Sequence, residues 1–226
     1  MSRGLSFKLQ GVALEIPKAL LTPKIEAALS EGRYEGQEAA ALKAHLVAED
    51  RVLELGTGLG YLAVQAARIV GPEAVTTVEP NPELIPVIKA NLEANQMQGV
   101  TVLNGAVLDS PVPGGTCQFF LTPAFWAASL DAAENPKARE ITVTAYGLGS
   151  LLAETLATVL LADVEGAETE FFHAPLPDTL RLIILELHPN KYDPDALRQI
   201  FDRLSGQGFG YCPKASRGQI VCFQKV

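Results

Sequence analysis

The run Val52-Leu53-Glu54-Leu55-Gly56-Thr57-Gly58-Leu59-Gly60-Tyr61 restricts the fold of this chain more than any other stretch. A short, mostly apolar strand pattern leads into three alternate glycines, and an apolar helical pattern begins directly after them. Glycine is needed where a backbone turns tightly, or where a ligand lies against it with no Cβ in the way. A second apolar run, Ala74-Val75-Thr76-Thr77-Val78, ends in Glu79. In an open parallel sheet such strand ends face the ligand crevice, and a carboxylate there can accept both ribose hydroxyls. The pattern predicts a nucleoside-cofactor site.

Spacing narrows the cofactor. Dinucleotide sites use Gly-x-Gly-x-x-Gly with a pyrophosphate on the helix N-terminus, whereas here the third glycine comes one residue early. Glu54, two residues before the first glycine, would repel a pyrophosphate but suits a ligand carrying a sulfonium and an ammonium. The loop resembles the Glu/Asp-x-Gly-x-Gly-x-Gly turn of class I S-adenosylmethionine (SAM) methyltransferases. That resemblance implies SAM as cofactor, S-adenosylhomocysteine as product, and a cofactor site of Glu54, Gly56, Gly58, Gly60, Tyr61 and Glu79. The plainer alternative is a strand–turn–helix whose glycines only shape the turn.

At 226 residues the chain suits a principal domain over 51–226, preceded by an extension of short strands and helices over 1–50. A net charge of -8 argues against a nucleic-acid substrate, which needs a basic surface. No apolar run reaches the roughly 20 residues that span a bilayer, and the first eight residues lack the apolar core of a signal peptide. The expectation is a cytoplasmic protein without membrane or nucleic-acid partners. Cys117, Cys212 and Cys222 are odd in number and lack metal-ligand spacing, so they read as incidental thiols. Monomer and homodimer are both open.

Residues 5–16 alternate apolar and polar with a break near Gly11, which predicts one or two short strands. Thr22-Pro23 reads as a helix start, Tyr34 and Glu35 as linker, and 37–46 as an Ala-rich helix. From Arg51 strands and helices alternate, as in a parallel sheet covered on both faces. Asn81-Pro82 reads as the start of the next helix, with Pro86 close to its interior. After the strand Val100-Thr101-Val102-Leu103, Asn104 offers an amide while Gly105 and Ala106 offer a surface for an adenine edge; a simple turn is the alternative. Residues 107–147 break the rhythm with Pro111, Pro113 and two glycines, then Gln118–Leu121 and Glu140–Tyr146 as antiparallel partners. Trp126 and Tyr146 are candidates to line a substrate site there, with ordinary packing favoured. Asp195 reads as the start of the last helix, and 208–212 with 219–223 as a closing hairpin.

Two further strands end in Asp163-Val164-Glu165-Gly166-Ala167-Glu168 and Glu186-Leu187-His188-Pro189, at the same edge as the glycine loop. With the loop and Glu79-Pro80-Asn81-Pro82, these segments resemble the FkbM family of methyltransferases over roughly residues 34–210. The resemblance implies a Rossmann-like α/β fold, with a mostly parallel seven-stranded sheet, helices on both faces and an antiparallel final strand. It also implies O-methylation of a small molecule, sugar or natural product, with Asp163 near the transferred methyl group. The (Asn/Asp/Ser)-Pro-Pro-(Tyr/Phe) motif of many enzymes acting on amide or base nitrogens is missing.

A hydroxyl acceptor must lose its proton to a carboxylate, a histidine or a metal. Asp163 or His188 is the expected base, with Glu165 and Glu186 orienting acceptor or base. Glu165 and Glu168 also suit the N-terminal dipole of a following helix, the reading preferred for Glu168. No metal is assigned, because strand-end positions do not fix ligand geometry. His45 and His173 read as structural or exposed. Two other readings remain: an NAD(P)-dependent dehydrogenase, against which Glu54 and the early glycine count, and a SAM-binding protein without catalysis.

Overall fold

The computed structural model describes residues 4–110, 112, 114–122 and 138–226. The chain opens with a hairpin of β1 (Leu5–Leu9) and β2 (Val12–Ile16) that turns through Gln10 and Gly11, where the alternation breaks. Two helices follow, α1 (Pro23–Ser30) and α2 (Gly36–His45); the Thr22 hydroxyl caps α1 by accepting the Ile25 N–H at 3.4 Å. Then come β3 (Val52–Leu55), α3 (Tyr61–Val70), β4 (Val75–Glu79), α4 (Ile85–Ala94) and β5 (Thr101–Asn104). A side sheet is built from β6 (Ala106–Leu108), β7 (Thr116–Leu121) and β8 (Arg139–Gly147). The chain ends with α5 (Leu148–Thr155), β9 (Val159–Ala162), β10 (Leu182–Glu186), α6 (Pro194–Gly206), β11 (Phe209–Arg217) and β12 (Ile220–Lys225).

The main sheet has seven strands in the order β11-β12-β10-β9-β3-β4-β5. Pairs from β10 to β5 are parallel, while β12 runs antiparallel to both β10 and β11. This is the expected Rossmann-like class I architecture. The chain leaves β3 toward β4 and β5, then crosses back to β9 and β10, so the strand order reverses at β3. Ligand crevices form outside the carboxyl ends of strands at such a reversal.

Alternation splits each buried strand between two cores. Val52, Val159, Leu161, Leu182 and Ile184 join the face covered by α2, α3, α4 and the N-terminal hairpin. Leu53, Leu55, Leu160, Ala162, Ile183 and Leu185 join the opposite face with α5, α6, Phe171 and Phe172. Residues 4–50 therefore share a core with the sheet. Polar clips seat the hairpin: Asn95 exchanges hydrogen bonds with the Ala13 backbone at 2.7 and 3.0 Å, and Asn91 accepts the Glu15 N–H at 2.7 Å.

Two helix starts differ from expectation. Asn81 does not cap a helix; its side chain accepts the Glu83 N–H at 3.0 Å in a local turn, and α4 begins at Ile85. Pro86 thus falls in the first turn, where its missing N–H is no loss. The last helix begins at Pro194, with Asp193 accepting the Ala196 N–H at 2.8 Å, because that aspartate precedes the proline. In the side sheet β7 and β8 are antiparallel as expected, while Trp126, Pro111 and Pro113 lie outside the described residues. No helix among the described residues is long and apolar enough to cross a membrane.

At the opposite end of the sheet from the glycine loop, Asp50 ties three strand starts together. It is 3 % exposed and accepts from Val47 N–H, the Thr158 hydroxyl and the Arg181 guanidinium, which also reaches the His45 carbonyl at 2.9 Å. Those bonds outweigh the effect of burial and lower the Asp50 pKa. Arg181→Ala strands a buried carboxylate, so a loss of about 3 kcal/mol is expected in urea unfolding.

Candidate functional site

The turn after β3 takes its shape from the protein's own backbone. Gly56, Gly58 and Gly60 all have positive φ, at 83°, 54° and 82°. A Cβ on Gly56 would lie 1.9 Å from the Asp163 carbonyl oxygen. On Gly58 it would meet the Tyr34 hydroxyl at 3.0 Å and Glu35 Oε1 at 3.3 Å. Two glycines are therefore required by close neighbours, one of them a strand end and the other the segment expected to be mere linker. Gly60 caps the N-terminus of α3.

Gly56, Gly58, Tyr34, Glu35 and Asp163 border a crevice of about 790 Å³, counted to its open mouth. Glu79, Gly105 and Ala106 lie at the β4–β5 side, Gly56 and Gly58 in the middle, and Asp163, Val164 and Glu165 at the β9 side; Tyr34 and Glu35 also line it. Leu55, Val78, Leu84, Val107 and Phe119 supply apolar wall. Gly105 is required by the side sheet, since a Cβ there would sit 2.5 Å from the Thr144 carbonyl and 2.6 Å from the Tyr146 ring.

Several carboxylates are desolvated around this crevice. Glu79 accepts the Asn81 N–H at 2.8 Å and the Gly58 N–H at 3.1 Å, yet burial outweighs both bonds and pushes its pKa up to about 7. Glu54 lies beneath the loop, 1 % exposed; the Thr77 hydroxyl donates to its Oε2, and burial pushes it up to about 8. Burial and the Glu165 charge push Asp163 up to about 7. Burial also raises Glu35 well above the usual carboxylate range, against its hydrogen bond with Tyr34. Among the described residues, three buried side-chain oxygens find no hydrogen-bond donor: Glu35 Oε2, Glu54 Oε1 and Asp163 Oδ1. A buried carboxylate oxygen without a donor calls for a cation or an N–H group. SAM carries both, so the residues present fit it.

Beyond Asp163 the rim is organised by Glu168. This residue is fully buried, and its Oε1 accepts the His188 N–H at 3.0 Å and the Tyr192 hydroxyl at 2.9 Å while facing His188 Nδ1 at 3.0 Å. Its Oε2 accepts the Gly166 N–H at 2.8 Å. Glu168 is thus the partner of His188 rather than a helix-dipole residue, a correction that follows from its burial against the β10 end. His188 Nε2 lies 3.5 Å from Asp163 Oδ1 and 3.6 Å from Glu165 Oε2. Burial lowers the His188 pKa, but the bond and charge of Glu168, with Glu165 and Asp163, outweigh it and raise the imidazole to about 9. Glu186 is pushed up to about 9 by burial, Asp163 and its hydrogen-bonded neighbour Glu38. Lys191 bonds Glu165 Oε2 at 2.9 Å. Asp163, Glu186 and His188 bring donor atoms within 4.8 Å of one another, a spacing that a shared proton or a cation can bridge.

Of the expected site residues, Gly56, Gly58, Glu79, Ala106, Asp163 and Glu165 line the crevice; Glu54, Gly60, Glu186 and His188 do not, and Tyr61 and Asn104 are engaged elsewhere. Tyr61 does not line the crevice; it is fully buried behind the loop, its hydroxyl bonded to Gln65 at 3.0 Å, because the first turn of α3 faces the core. The Asn104 amide is spent on the Glu79 carbonyl at 2.8 Å, since β5 pairs with β4 at that position. His45 bonds the Lys214 carbonyl at 2.8 Å, and neither it nor His173 lines the crevice. Sequence reasoning missed Tyr34 and Glu35; the only local signal was a turn-forming glycine after them.

The family model of protein-L-isoaspartate(D-aspartate) O-methyltransferase matches residues 24–107. A protein-L-isoaspartate O-methyltransferase of Ignicoccus hospitalis is 49% identical over 57 residues, 25% of this chain and 27% of that one. A ribosomal protein L11 methyltransferase of Thermus thermophilus is 36% identical over 118 residues, 51% of this chain and 44% of that one. The chain thus spans less than half the length of these curated relatives. The crystal structure of M. jannaschii TYW2 in complex with AdoMet covers 100% of this chain and 88% of its own, at TM-score 0.51 and 12% identity. The chain has the fold of class I methyltransferases, and its glycine-loop half is similar in sequence to protein-L-isoaspartate O-methyltransferases; the matching family model is not that of FkbM.

Two outcomes test the crevice itself. Gly56→Ala forces a side chain into a backbone carbonyl at positive φ, so a loss of about 3 kcal/mol or more is expected in denaturant unfolding. The raised carboxylates hold protons more tightly when folded than at their ordinary 4.5 in the unfolded chain. The ligand-free protein therefore loses stability as pH rises from about 4.5 through about 8, and Glu54→Gln flattens that slope in melting curves.

Proposed function

We propose that the chain is a SAM-dependent methyltransferase that acts on a hydroxyl acceptor, with His188 as the base. The observation that carries the cofactor reading is a pair of carboxylate oxygens beside one glycine turn, Glu35 Oε2 and Glu54 Oε1, that are buried without a donor. Glu79 holds the ribose end, Ala106 and Gly105 the adenine edge, and Glu54 and Asp163 the cationic end. When bound, the cofactor supplies a methyl group on a sulfonium, activated for in-line attack without any enzyme nucleophile.

The protein's own part is to seat the acceptor and take its proton. Glu168 fixes the His188 ring through Nδ1 and leaves Nε2 facing Asp163, which lines the crevice. Orientation of acceptor against cofactor supplies much of the acceleration, and a positioned base adds about 10²–10⁴-fold. The Asp163 and His188 segments are the ones that resemble the FkbM family, which supports a hydroxyl on a small molecule or sugar. The isoaspartate match stops at residue 107, before either segment. A carboxylate acceptor would also meet Asp163 and Glu165 on its approach and would have no proton to lose. The relatives' names favour a second reading, a protein acceptor. A cytoplasmic setting suits the three unpaired cysteines.

Incubation of a cell extract with methyl-labelled SAM separates the two. Label in the small-molecule pool that survives alkali, as an ether does, is expected; label confined to protein supports the second reading. With an identified acceptor, turnover should rise with pH through about 9, as the His188 Nε2 proton leaves. His188→Ala should abolish that limb and lower kcat about 100-fold or more while leaving cofactor affinity in place. An unchanged pH profile in this variant would remove His188 from the chemistry.

A further inference from the structure

Strand order gives a bound cofactor a direction. Glu79 ends β4 and Ala106 follows β5, so a ligand with its ribose and adenine there continues across β3 toward β9. Its far end would reach the part of the crevice lined by Gly56 and Gly58 together with Tyr34 and Glu35. No lysine or arginine lines the crevice among the described residues. Glu35 adopts a left-handed conformation, φ 46° and ψ 32°, which an L residue rarely takes without a reason. That twist starts α2 and brings Oε1 to within 3.3 Å of where a Gly58 Cβ would lie. Tyr34 anchors the turn: its ring meets Tyr61 edge-on at 6.2 Å, and its hydroxyl bonds the Glu35 carboxylate. Glu35 Oε2 is buried without a donor.

Resting on the cofactor reading above, we infer that Tyr34 and Glu35 are a clamp for the ammonium group at the aminoacyl end of the cofactor. Glu35 accepts from the ammonium through Oε2, and Tyr34 holds the carboxylate in place. The expected class of ligand is therefore an adenosine thioether or sulfonium with a free amino group on its tail. The segment expected to be a linker becomes a determinant of cofactor specificity.

Calorimetry with two ligands tests this. S-adenosylhomocysteine keeps the amino group, and 5′-methylthioadenosine lacks the whole aminoacyl tail. Glu35→Gln should weaken the first by about ten- to hundredfold, the cost of losing a charge-assisted hydrogen bond, and the second by less than about twofold. Equal weakening of both ligands would show that Glu35 only shapes the loop and would overturn the clamp, as would no weakening of either. Tyr34→Phe should show the same pattern at about three- to tenfold, and serves if the first variant fails to fold. Failure of the unaltered protein to bind either ligand would instead overturn the cofactor reading on which the clamp rests.

Discussion

The structure depends on a cost it accepts at one rim: several carboxylates desolvated in and behind one crevice. Glu35, Glu54, Glu79, Asp163 and Glu186 are all raised in pKa, with burial as the largest cause in each case. Burying one such group without compensation is unfavourable, and neighbouring like charges make it worse. Backbone N–H groups compensate Glu79, and the Thr77 hydroxyl half-compensates Glu54. The remaining oxygens favour a ligand of opposite charge. That electrostatic fact fits a sulfonium-bearing ligand better than a dinucleotide, whose pyrophosphate would compete with carboxylates for the same few donors.

The fold supplies the geometry that makes this concentration of charge possible. Parallel strands deliver their carboxyl ends to one edge, and the reversal at β3 opens that edge into a crevice. Gly56 lets β3 and β9 converge, because its hydrogen takes the place where a side chain would strike the Asp163 carbonyl. Gly105 plays the same part for the side sheet, whose Phe119 lines the crevice. The glycines thus permit close approach of protein to protein, and ligand access follows from it.

On the acceptor side, one buried residue organises the rest. Glu168 engages His188 through both its backbone N–H and its ring, and Tyr192 closes the arrangement. The favourable bonds overcome burial and lower the Glu168 pKa, so the carboxylate stays charged and its charge in turn raises His188. A histidine held in this way has one nitrogen fixed by Glu168 and the other facing Asp163 and Glu165.

Much of this was legible from local pattern. Alternation and glycine spacing predicted the parallel sheet, the cofactor turn and the convergence of Glu54, Glu79, Asp163 and His188, because strand polarity alone sends those residues to one edge. Helix starts at Asn81 and Asp195 were misplaced by a few residues, since Asn81 closes a local turn ahead of α4 and Asp193, not Asp195, caps α6. Tyr61 and Asn104 read as ligand contacts but are engaged by Gln65 and the Glu79 carbonyl. Tyr34, Glu35 and Glu168 carried no signal of their role, for Gly58, which the first two face, and His188, which the third holds, lie 20 or more residues away. Sequence by itself determined which strands exist and what chemistry their ends bear; tertiary structure decided which of those polar atoms the protein satisfies and which are left for a ligand, because that depends on distances set by long-range packing.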